Sequence, residues 1–125
     1  MITEKEILEK SFKFEKKYDD YNKLYFFEKD QNFLDYLKNN LASVYDFIKK
    51  SDIKYSSSVP LAGVTLDKKT GKPIIYLNPH RITYIYNMML NSEISLILFY
   101  RTLSGILWHE SLHVILKHFS HPFLF

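Results

Sequence analysis

The sequence predicts an α+β fold, a mainly helical single domain with a small antiparallel β-hairpin and one long central helix near its C-terminal end. Three observations predict it. Apolar residues recur at spacings of three and four through most of the chain, the period of a helix with one buried face. Val59 to Leu66 and Pro73 to Leu77 depart from that period, short runs with β-branched residues on either side of a glycine-containing turn. The apolar run from Ile94 to Leu116 holds His109, Glu110 and His113 in the pattern H-E-x-x-H, polar groups that a buried helix accommodates only when they have partners.

Taken in order, Thr3-Glu4-Lys5-Glu6 is a capping-box pattern. It predicts a helix running to about Asp19, with Ile7, Leu8, Phe12 and Phe14 as its apolar positions, before a break at Asp19 to Asn22. Leu24 to Phe27 suits strand and helix equally. From Gln31 to about Lys49 the spacing of Phe33, Leu34, Leu37, Leu41, Val44, Tyr45 and Ile48 predicts one amphipathic helix, with Lys38, Asn39, Asp46 and Lys49 on its wet side. Residues 1–50 are thus a helical lead-in. Ser51 to Ser58 reads as a polar loop, and residues 59–78 as the hairpin, turning at Asp67-Lys68-Lys69-Thr70-Gly71-Lys72. Asn78 then caps a helix that has Pro79 at its first position and Ile82, Ile85, Tyr86 and Met89 on its apolar face. Asn91-Ser92-Glu93 closes it, and Asn91 or Ser92 caps the motif helix, which runs to about His118. Residues 79–118 are therefore helical and carry the metal motif.

Composition narrows the chemistry. The 125 residues suffice to bury roughly two-thirds of the unfolded surface in one core. The absence of cysteine excludes disulfides, thiolate metal sites and thiol nucleophiles. The charged N-terminal segment lacks the apolar stretch of a signal peptide, and Arg101 interrupts the longest apolar run, so the chain is expected in the cytoplasm and off the membrane. A net charge of +3, from lysines scattered among acids, describes a solvated surface and gives no case for nucleic acid as a partner. The ten Tyr and ten Phe fall mostly at helix-core spacings, which points to packing rather than base stacking.

The motif has a mechanical meaning. Four residues advance a helix by about 400°, so His109 and His113 project from one face, one turn apart, and can share one metal ion. Glu110 stands about 100° round from His109, which suits a general base acting on water activated by the metal. A catalytic zinc site needs a third protein ligand. His118 can supply it only where the helix ends or distorts near Lys117; His121, beyond the helix end, and a carboxylate from elsewhere are the other candidates. Imidazole ligands suit zinc, iron, nickel and copper alike. His80 and His121 are otherwise expected at the surface.

The order of these motifs, Thr65-Leu66-Asp67 on one strand, Ile75-Tyr76-Leu77-Asn78-Pro79 ending the next, and His109-Glu110-Ser111-Leu112-His113 running on to His118, resembles a known family. It is the zincin-like metallopeptidase domain at the N-terminus of predicted metal-dependent peptidases that carry a C-terminal von Willebrand factor A-like part. The resemblance covers roughly the last two-thirds of the chain and implies that His118 is the third ligand of one Zn2+, in the pattern H-E-x-x-H-x-x-x-x-H. There are departures: Lys68-Lys69-Thr70 lengthens the aspartate turn, and no adhesion-like part follows within these 125 residues, as is expected of a remnant or of a stand-alone form such as phages carry. The expected function is a zinc-dependent peptidase acting on a peptide or protein, with Glu110 as general base and Tyr76 or Tyr84 as oxyanion stabiliser. In that reading an extended substrate adds to the strand before Asn78 as to a sheet edge. The alternative is a catalytically inactive protein of the same scaffold that binds or regulates a protein partner, a phage or host factor.

Overall fold

The computed structural model describes residues 2–13 and 24–117. Its elements are α1 (Glu4–Phe12), α2 (Gln31–Asn40), α3 (Ala42–Lys49), β1 (Asp52–Tyr55), β2 (Ala62–Leu66), β3 (Pro73–Leu77), α4 (Pro79–Leu90) and α5 (Leu96–Leu116), with a short 3-10 turn at Phe27–Lys29 before α2. The expected α+β class holds, although the sheet is larger than a hairpin and two helices are shorter than the sequence predicts.

Thr3 caps α1 by accepting the Glu6 N–H at 3.2 Å. The helix stops at Phe12 instead of about Asp19. Its last turn is loosened by Ser11, whose hydroxyl donates to the Leu8 carbonyl at 2.7 Å and competes with the helix ladder. Phe14 and the expected break after Asp19 lie outside the described residues. The single helix expected from Gln31 to Lys49 is two helices, because Leu41 leaves the helical region at φ −142° and ψ 64°. Asn39 and Asn40 are weak helix formers, and the Asn40 amide ends α2 by donating to the Tyr36 carbonyl at 2.9 Å. Phe33, Leu37, Val44 and Ile48 stay buried across the break, so the apolar stripe reads through it unchanged.

The sheet has the order β1-β3-β2. β2 and β3 form the expected antiparallel hairpin, with Val64 opposite Ile75, but β2 begins at Ala62 and not Val59. At the turn Asp67 Oδ1 accepts the N–H groups of Lys69 at 2.8 Å and Thr70 at 3.0 Å, and Gly71 takes the left-handed φ of 71° that an ordinary side chain disfavours. β1 occupies the segment expected as loop, pairing parallel to β3 with Ile53 opposite Ile75. Strand β3 is therefore central, and the expected edge role does not belong to it.

Asn78 joins three parts of the chain. Its backbone N–H donates to Leu61 at 2.8 Å, its side-chain amide donates to Val59 at 2.9 Å, and its side-chain oxygen accepts the N–H groups of His80 and Arg81 as the cap of α4. His80, expected at the surface, is half-buried in that first turn. After α4 the chain reverses through Ser92, at a left-handed φ of 61°. Ser95, not Asn91 or Ser92, caps α5 by accepting the Leu98 N–H at 3.1 Å.

Helix α5 runs 21 residues and packs against β2 and every other helix of the α1 to α4 set. Phe99, Tyr100, Leu103, Ile106 and Leu107 carry it through the core. Around Phe99 and Tyr100 gather Tyr25, Tyr86, Phe33 and Tyr36, with ring centroids 5.2 to 6.0 Å apart. Packing thus accounts for these rings. Among the described residues, no helix is long and apolar enough to cross a membrane.

Candidate metal centre

The last turns of α5 carry the motif, and α5 is held by its core residues on the side away from Trp108 and Ile115. That anchorage fixes the motif's orientation. His109 Nε2 and His113 Nε2 stand 3.0 Å apart, with ring planes inclined at 78°. Glu110 joins them: one ligand atom from each of the three residues lies within 4.8 Å of the others. Glu110 and His113 are 3% and 6% exposed, while His109 is half-buried.

Burial of Glu110 away from water disfavours its charge and pushes the carboxyl up to about 7, against a smaller lowering by His113. Glu110 Oε2 is buried and has no hydrogen-bond partner. A buried, unpaired carboxylate oxygen is costly, so the centre fits a further polar occupant. The imidazoles fit a cation as well. Two nitrogens bound at about 2.0–2.1 Å to a tetrahedral ion stand about 3.3 Å apart, which the observed pair reaches by opening about 0.3 Å.

Ser111, inside the motif, is buried and spends its hydroxyl on the Trp108 carbonyl at 2.6 Å. It fills space beside the centre without adding a ligand. The helix ends at Leu116, where Lys117 turns into the left-handed region at φ 57° and ψ 32°. This meets the condition under which His118 could turn back towards His113. His118 and His121 themselves lie outside the described residues. Among the described residues, no carboxylate other than Glu110 joins the two imidazoles.

The two tyrosines are placed differently. Along β3, Ile75 and Leu77 point into the core, so alternation sends Tyr76 to the opposite face of the sheet. Tyr84 is on α4, half-buried against the core. A feature the sequence does not signal is Arg81, whose Nη1 is buried without a hydrogen-bond partner while the guanidinium lies 5.0 Å from the Phe12 ring. An arginine in a first helical turn reads as solvated, and its contact with Phe12 arises only once α1 packs on α4.

Comparison of the chain with protein-family models, with curated proteins and with solved structures finds no match.

Proposed function

We propose that the chain is a zinc-dependent peptidase of the zincin type, in which His109, His113 and His118 hold one Zn2+ and Glu110 is the general base. The observation that carries this reading is the convergence of His109 Nε2 and His113 Nε2 at 3.0 Å beside a buried carboxylate with one unpartnered oxygen. A divalent cation bound there supplies Lewis acidity, which lowers the pKa of water and polarises a carbonyl. Glu110 handles the proton. In this reading its carboxylate takes a proton from the attacking water and returns it to the leaving amine, and the cation offsets the burial that pushes the carboxyl up in the metal-free chain. Tyr84 is the remaining candidate for the oxyanion, since Tyr76 lies on the far face of the sheet. The free sheet edge beside α5 belongs to β2, and an extended peptide would pair there by backbone hydrogen bonds. In this reading the chain is a zincin-like domain of the family it resembles.

The test separates binding from catalysis. The wild type should bind zinc stoichiometrically and cleave unstructured peptides. Glu110→Gln should keep the metal and lose activity by about 100-fold or more, whereas His109→Ala and His113→Ala should lose both. Full activity in Glu110→Gln overturns the assignment.

The near-complete burial of Glu110 and His113 favours one other reading, a scaffold of the same type that binds a protein partner and cleaves nothing. Zinc bound without any peptidase activity, in wild type and variants alike, would decide for it.

A further inference from the structure

We propose that the exposed face of α5 is the contact between two copies of this chain, packed antiparallel about a two-fold axis near residue 106. The inference is independent of the metal reading. Ile97, Arg101, Gly105, Trp108, Leu112 and Ile115 recur at spacings of three and four, and so form one stripe along α5. It lies opposite the core residues of the same helix. Trp108 is 50% exposed, Ile97 54% and Ile115 68%. Scattered apolar residues need no explanation, but apolar residues aligned on one helix face, interrupted only by Arg101 and Gly105 and with a large aromatic near the middle, mark a contact surface.

The pattern of the stripe selects the occupant. A two-fold contact must be complementary to itself, a demand that an unrelated partner does not impose. With the helices antiparallel and the axis near residue 106, Ile97 of one copy meets Ile115 of the other, and Trp108 meets Gly105. A Cβ on Gly105 would find no atom of the described residues within 4 Å, so nothing among them requires a glycine there. Glycine inside a helix is unfavourable relative to alanine, and its use here opens a slot opposite an indole that needs one.

Charge and area agree with this choice. Arg101 is the single charge on the stripe, and it is already drawn towards Glu4 at 3.9 Å. A parallel pairing would set Arg101 against its own copy, whereas the antiparallel one separates the two guanidinium groups by about 16 Å along the axis. A specific contact buries about 1,000 Å2 over both copies, and Ile97, Arg101, Trp108 and Ile115 are the exposed residues each copy has to supply its half.

Trp108 is the sole tryptophan of the sequence, so its fluorescence reports directly on the contact. The full chain is to be followed by sedimentation velocity and tryptophan emission through a dilution series. The expected result is a mass of two chains at high concentration, passing to one chain on dilution with a red shift of the emission. Gly105→Arg fills the slot from an open position that strains nothing within the protomer, and should weaken the dimer by roughly 30-fold or more with unchanged circular dichroism. Trp108→Ala should weaken it likewise. A single-chain mass at every concentration overturns the proposal, whether the emission is red or blue, and so does a dimer that Gly105→Arg leaves intact.

Discussion

Glu110 joins burial to chemistry at a single carboxyl. Its ordinary value of 4.5 belongs to the unfolded chain and about 7 to the folded one, so between those values the folded protein binds more protons. The stabilisation this gives is fully present below about pH 4.5 and is lost as pH rises through about 7. Without metal, Glu110→Gln should therefore match the wild type at about pH 4 and exceed it by about 2–3 kcal/mol at about pH 8, as urea denaturation at the two values would show. The pairing of His109 with His113 is legible in the sequence because it depends only on the pitch of a helix. Whether His118 completes the proposed set is not, because no local periodicity encodes the path of a chain beyond a helix end. The face that Tyr76 takes is hidden for a related reason: strand alternation puts it on one side or the other, and only the packing of Ile75 and Leu77 decides which.

At the scale of elements, the parts with their own punctuation are the parts the sequence announces. Asn78-Pro79 starts α4, Gly71 turns the hairpin, and Thr3 starts α1, each through a bond between neighbours in the chain. Strand β1 has no such mark. Its four residues lie in a serine-rich stretch, too short for alternation to show, and they become a strand because β3 offers an open edge at Ile74 to Leu77. The break at Leu41 is hidden for the opposite reason, since the apolar spacing continues through it. The end of α5 offers a direct test. Lys117 holds a left-handed conformation that glycine adopts without penalty, so Lys117→Gly should raise stability by about 0.5–1 kcal/mol in thermal or urea unfolding. A loss of stability would show that the Lys117 side chain has a role that its backbone does not reveal.

At the scale of the whole molecule, the candidate metal centre and the core share one helix, so an ion bound at the first should be felt by the second. A ligand that binds only the folded state stabilises it by about 2.7 kcal/mol at a free concentration of 100 times its dissociation constant. Zinc should accordingly raise the melting temperature of the wild type in calorimetry and leave that of His113→Ala nearly unchanged. An equal shift in both would place the ion elsewhere. The same helix governs how the protein comes into being. α5 follows all the other described elements in sequence yet supplies the surface on which α1, α2, α3 and α4 settle. A ribosome must therefore release the chain through α5 before the earlier helices find their full seat. A nascent chain arrested before Leu96 lacks the helix that joins α1 to α4 and should be open to proteases, which limited proteolysis of a chain stopped there would show.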